Sequence, residues 1–186
     1  MSDFPARAGH FVFESGHHGD LWLDLDALFA DPARTDGLAA NLADLLRPIP
    51  IDVVCGAMTG GALLGQVVAR HLGCRFAWTE RTVVDNRPRY VLPSGQREVV
   101  SGQRLALVDD VINAGSATGG TNRAVVSAGG IPVAIGALLV LGDAIDRATA
   151  ALNLPVIALE RRTSNLWDQA ECPLCAGNIP LERPGG

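Results

Sequence analysis

One stretch, residues 105–121 (LALVDDVINAGSATGGT), narrows the folds open to this chain more than any other. An apolar run, Leu105-Ala106-Leu107-Val108, is followed at once by Asp109 and Asp110, and then by the small residues Asn113-Ala114-Gly115-Ser116-Ala117-Thr118. The pattern predicts a buried strand, an acidic pair at its carboxyl end, a loop, and a helix from about Asn122. A loop that opens a helix presents unpaired backbone N–H groups and the positive end of the helix dipole, which together hold a phosphate. Small residues let the backbone close around the anion, and Ser116 and Thr118 add hydroxyl donors. Two carboxylates at the strand end hold vicinal hydroxyls, directly or through Mg²⁺. A sugar phosphate meets both requirements.

A second unit of the same kind precedes it. Residues 51–55 (IDVVC) predict a short strand, Gly56-Ala57-Met58-Thr59-Gly60-Gly61 a loop, and 62–72 a helix stopped by Gly73. Two anion-binding turns in one sheet suit a ligand with phosphates at both ends. Leu38, Leu42, Leu45 and Leu46 share one face of a helix over 35–47, capped by Thr35 or Asp36 and ended by Pro48 and Pro50. Strands follow at 75–79, 133–141 and 156–159, with a helix at 143–152. Strands alternating with helices imply an α/β fold: a doubly wound parallel sheet with its ligand at the carboxyl ends of the strands. Residues 1–35 lack a strong period, apart from an alternation at 21–26 that predicts a strand. Residues 80–103, rich in Pro, Gly and charge, predict a flexible loop or two-stranded flap.

These residues carry a resemblance. DDVINAGSA at 109–117 resembles the phosphoribosyl pyrophosphate (PRPP) signature of the type I phosphoribosyltransferases, above all the orotate phosphoribosyltransferases, with Asn113 where Thr is usual. The GxxTGG wording at 56–61 is similar to that family's pyrophosphate loop. The likeness extends from Gly9 to Pro180 and implies one type I domain: a hood (1–35), a core (36–162) and a tail (163–186). It implies that Thr59, Gly60, Gly61 and Arg81 meet pyrophosphate, and that residues Val111, Ile112, Asn113, Ala114, Gly115, Ser116 and Ala117 cradle the 5′-phosphate. Asp109 and Asp110 then hold the ribose hydroxyls and Mg²⁺. Trp22, Asn113 and Arg161 meet the base, Ser15-Gly16 belonging to the hood and Glu160-Arg161 standing where relatives carry Asp-Arg. The implied reaction moves the ribose 5-phosphate of PRPP to a base, orotate first, in pyrimidine nucleotide biosynthesis. A homodimer is also implied, with the flap of one subunit over its neighbour's site.

Some positions depart from the pattern. The family's mobile loop uses a Lys against pyrophosphate, and this chain contains no Lys: all 15 of its basic residues are Arg. Arg87 and Arg89 are the loop cations expected to replace it. Glu14 and Glu80 stand where cations are common, so a different base, or a PRPP-binding regulator without catalysis, are the competing readings. A net charge of −5 with no basic cluster argues against a nucleic-acid partner and weighs against a regulator. No apolar run approaches the ~20 residues of a membrane span, and the first residues lack a signal-peptide pattern. Four cysteines without an export signal fit reduced thiols in a cytoplasm. Cys172-Pro173-Leu174-Cys175 supplies half a tetrahedral zinc site. With Cys55 and Cys74 in or beside core elements, the motif is read as an unmetallated turn unless a second tail across a dimer axis completes it. The His17-His18 pair is read as a solvated loop tip.

Overall fold

The computed structural model describes residues 4, 6–13, 15–23, 26–84, 87–150 and 154–183, with Asp26, Ala27 and Arg87 described by backbone only. Glu14 and the side chain of Arg87 therefore lie outside the described residues. The chain begins with two antiparallel strands, β1 (Ala6–Val12) and β2 (His18–Leu23). A one-turn helix α1 (Asp26–Phe29) leads into α2 (Pro32–Leu46). Asp31 caps α2, accepting the backbone N–H groups of Ala33 and Arg34, and Pro32 opens it. The helix thus starts earlier than the Leu pattern suggests. Thr35, expected as its cap, is instead buried and donates its hydroxyl to the Leu28 carbonyl at 2.8 Å.

Strand β3 (Val53–Ala57), helix α3 (Gly60–Leu72) and strand β4 (Arg75–Val84) form the first βαβ unit. Strand β5 (Arg87–Val91) turns back antiparallel along β4, and the short helix α4 (Arg97–Val100) follows. The second unit is β6 (Arg104–Ile112), α5 (Ser116–Ser127) and β7 (Ile131–Leu141), after which come α6 (Ala144–Ala150) and β8 (Val156–Arg162). The tail adds a two-residue strand β9 (Leu166–Trp167), paired with β2, and a one-turn helix α7 (Pro173–Ala176).

The main sheet runs β5-β4-β3-β6-β7-β8, parallel except for β5. Val53, Val54 and Cys55 of β3 and Leu105, Ala106 and Leu107 of β6 are almost wholly buried, as strands covered on both faces must be. On one face Leu38, Leu42 and Leu46 of α2 and Leu64 and Val68 of α3 pack on Val54 and Val108. On the other, Val125 of α5 and Ile145 of α6 pack on Cys55, Leu107 and Ile135. Burial pushes the Cys55 thiol up to about 12, which leaves it an inert core side chain. Asp52, just before β3, grips Arg104 at the start of β6 through two 2.8 Å bonds and accepts the Arg104 N–H. Those bonds hold the Asp52 carboxyl well below the usual carboxylate range.

The strand order fixes where a crevice opens. From β3 the chain crosses to β4 on one side, and from β6 it crosses to β7 on the other. The loops leaving neighbouring strands diverge, and a crevice opens between them at the carboxyl ends.

Candidate active site

Both glycine-rich strand-to-helix turns meet in that crevice. β3 and β6 are in register with Gly56 opposite Val108, so the 58–59 loop leaves its strand beside Asp109 and Asp110. Helix α3 starts at Gly60 behind Thr59, and α5 starts at Ser116 behind Gly115; neither cap residue lends a side chain to the first turn. The open N–H groups and positive dipole ends of two helices therefore face one space. The Met58–Thr59 peptide bond in this loop is cis.

The cavity measures about 290 Å³. Thr59, Gly60, Gly61, Arg81 and every residue from 109 to 117 line it. A larger groove of about 830 Å³, between α2 and α3, is walled by Phe29, Leu63, Val67 and the Asp36–Arg70 ion pair. It shares no residue with the acid pair, and volume alone does not make chemistry.

The acids sit close against α3. A Cβ on Gly61 would lie 2.7 Å from Asp109 Oδ1 and 2.9 Å from the Val108 carbonyl, and one on Gly60 would overlap the Asp110 carboxylate. Only glycine lets the helix start come this near. Asp109 is 9% exposed; its carboxylate accepts the Thr118 hydroxyl (3.3 Å) and the Asp110 N–H (3.2 Å). Burial, and then the charge of Asp110, push the Asp109 carboxyl well above the ordinary carboxylate range. A cation beside the two carboxylates would offset that repulsion, and hydroxyl donors would satisfy their oxygens.

The structure separates other candidates from the cavity. Trp22 is one step back: its ring stacks on Phe13 at 6.1 Å and 20°, and Phe13, with Ser15, lines the cavity. Arg161 does not reach it. Its guanidinium is forked onto Asp146 of α6 (2.7 and 3.1 Å) and onto the Val156 carbonyl, while Arg162 pairs with Glu160 and donates to the Phe4 carbonyl. Arg89 lines a separate cavity of about 470 Å³ with Arg97 and Arg123. Tyr90, which sequence reasoning passed over, lines both spaces. Its ring occupies the room a Cβ at Gly120 would need, so the flap root lies on α5. Opposite Tyr90 in the β4–β5 ladder stands Arg81. Asn113, the departure from the signature, lines the cavity with a buried Nδ2 that has no hydrogen-bond partner.

No family model matches the chain. Among curated proteins, the orotate phosphoribosyltransferase of Caldanaerobacter subterraneus subsp. tengcongensis is 30% identical over 181 residues, covering 95% of this chain and 88% of the relative. That of Thermotoga maritima is 32% identical over 182 residues, covering 95% and 90%. The chain belongs to the orotate phosphoribosyltransferase family. Solved structures agree on the fold. The orotate phosphoribosyltransferase of Aeropyrum pernix matches with a TM-score of 0.65 at 19% identity, over 84% of this chain and 87% of that one. Adenine phosphoribosyltransferase from Thermoanaerobacter pseudethanolicus matches with a TM-score of 0.63 at 21% identity, over 76% and 88%. The family's fold, a type I phosphoribosyltransferase sheet under a small hood, is the one described above.

Proposed function

We propose that the protein transfers the ribose 5-phosphate of PRPP to orotate, forming orotidine 5′-phosphate and pyrophosphate in pyrimidine nucleotide biosynthesis. The observation that carries this is the convergence of two helix starts without a side-chain cap and one acid pair on a single cavity. The backbone of 113–117 with Ser116 takes the 5′-phosphate, and Thr59, Gly60 and Gly61 take pyrophosphate. Asp109 and Asp110 take the ribose hydroxyls.

The donor set fits Mg²⁺: two carboxylates offering only oxygen, one of them buried beside a like charge. When bound, Mg²⁺ supplies positive charge to the departing pyrophosphate. Arg81 adds a fixed cation at the cavity wall, in the role the family gives to a loop Lys. In the transfer, the anomeric C–O bond to pyrophosphate breaks and a C–N bond to the base forms. The acidic ring N–H of orotate passes its proton to water as that bond forms, so the protein need supply no general base. Phe13 gives the base a flat apolar wall, with Trp22 stacked behind it, and the unsatisfied Asn113 amide gives it a donor.

We place the protein in the cytoplasm as a homodimer. That none of the four cysteines forms a disulfide supports the first. The family pattern of the flap supports the second. A pyrophosphate-release assay with PRPP and Mg²⁺ across orotate, uracil, adenine and hypoxanthine tests the function. Turnover with orotate alone, or at least tenfold faster than with any other base, is expected. Preference for a purine overturns the substrate assignment, and no turnover with any base overturns the enzyme.

A further inference from the structure

The Cys172-Pro173-Leu174-Cys175 turn has its partners in the hood, and they are histidines. His10 on β1 and His18 on β2 lie on paired strands, with His10 Nε2 3.0 Å from His18 Nδ1. Cys172 Sγ lies 3.4 Å from His10 Nε2, and Cys175 Sγ lies 3.7 Å from His10 Nε2 and 3.3 Å from His18 Nδ1. All four ligand atoms fall within 4.8 Å of one another, and all but Cys175 are buried. His18 is therefore no solvated loop tip: it is 2% exposed, while its neighbour His17 faces Asp168 at 3.2 Å. Neither Cys55, Cys74 nor a second tail is needed.

We propose that His10, His18, Cys172 and Cys175 bind one zinc ion in a closed structural site that fastens the C-terminal tail to the hood. Bonds of about 2.0–2.1 Å to nitrogen and 2.3 Å to sulfur, set tetrahedrally, put ligand atoms roughly 3.3–3.8 Å apart. The four separations here run from 3.0 to 3.7 Å. The tautomer is set for it. His10 Nδ1 lies 2.9 Å from the Ile179 carbonyl, which can only accept, so Nδ1 carries the proton and Nε2 turns a lone pair to the cluster. One lone pair accepts one hydrogen bond, yet three heteroatoms crowd this nitrogen. A cation satisfies them together. Two thiols and two imidazoles are a zinc donor set, and four protein ligands leave no open position for catalysis.

The location gives the site a purpose. A two-stranded ribbon with one short partner strand buries little by itself. The tail closes on it: Glu182 donates its N–H to the His10 carbonyl (2.8 Å) and accepts the Val12 N–H (3.1 Å). The ion would link segments more than 150 residues apart in sequence, as the separations of 157 and 162 for His18–Cys175 and His10–Cys172 show. Because Phe13 and Ser15 follow β1 directly and line the cavity, the same clamp sets the hood wall of the site.

The test uses the full chain, purified under reducing conditions. Elemental analysis is expected to find about one zinc per chain. Protein stripped by chelator, and shown to retain its far-ultraviolet circular dichroism, should take up Co²⁺ to one equivalent. The spectrum should show tetrahedral d–d bands and thiolate-to-cobalt charge transfer, and Zn²⁺ should displace it. Cys175→Ser, at the exposed ligand, should lower cobalt affinity at least tenfold and abolish half of the thiolate charge-transfer intensity. A folded, reduced, stripped protein that binds neither metal stoichiometrically overturns the proposal. So does a six-coordinate cobalt spectrum without thiolate bands, or a Cys175→Ser variant that binds cobalt as the parent does.

Discussion

Gly61→Ala tests how closely the site's geometry is set. The added Cβ would lie 2.7 Å from Asp109 Oδ1 and 2.9 Å from the Val108 carbonyl, whereas Cβ contacts below 3.0 Å essentially never occur and those below 3.4 Å are tight. The start of α3 must then retreat from β6 by a few tenths of an ångström. Neither neighbour yields easily: one is backbone, and the other is held by Thr118 and the Asp110 N–H. A displacement of about 1 Å in a reacting site costs roughly 10²-fold, so half of that is expected to lower kcat/KM about tenfold, or ~1.4 kcal/mol. Overpacking should also lower stability by about 1–3 kcal/mol. Gly37→Ala is the control. Nothing lies within 4 Å of its Cβ position, in the middle of α2, so it should stabilise by about 0.5–1 kcal/mol and leave turnover alone. Steady-state kinetics and thermal melts of the two variants read both effects. If Gly61→Ala matches the parent within twofold in kcat/KM, the close approach is not what positions the phosphates.

Asp109→Asn should raise the stability of the ligand-free protein at neutral pH while removing activity. The folded carboxyl titrates above its unfolded value of about 4, so the parent loses stability as pH rises from there through the raised value, and the amide does not. Melts at pH 4 and pH 7 should show a gain confined to the higher pH, and equal gains at both would refute the burial argument. Arg81→Ala should lower kcat about 10²-fold with a smaller change in PRPP affinity, and Arg89→Ala should cost less because it lines the adjoining cavity. Equal losses in steady-state kinetics would return the loop cation to Arg89. Light scattering at micromolar concentration should give twice the 19.5 kDa chain mass, and a fully active monomer would refute the dimer.

What was legible in the sequence was the local structure carried by consecutive residues. The loops at 59–61 and 109–117 announce themselves because strand, small loop and helix start are local, and both line the cavity. The boundaries were less legible. Helix α5 begins at Ser116 rather than near Asn122 because Gly119 and Gly120, poor helix formers, are held by tertiary packing: Tyr90 fills the space over Gly120. Pro32 at the start of α2 was a readable signal that the Leu spacing outweighed. Strand β8 runs on through Arg162, past the 156–159 expected, and the alternation of side chains along it turns Arg161 to α6. Phe13, Tyr90 and the His10–His18 pair belong to the ribbon and flap that fold back on the core. No local period encodes such contacts.

The claim on which the account rests is that the crevice between β3 and β6 is the PRPP site. Calorimetric titration of Mg²⁺–PRPP into the parent and into Asp109→Asn/Asp110→Asn tests it without any assumption about the base. The parent should bind one PRPP per chain, and the double variant, folded by circular dichroism, should show no heat of binding. Equal affinity in the two proteins would place PRPP elsewhere and contradict the account.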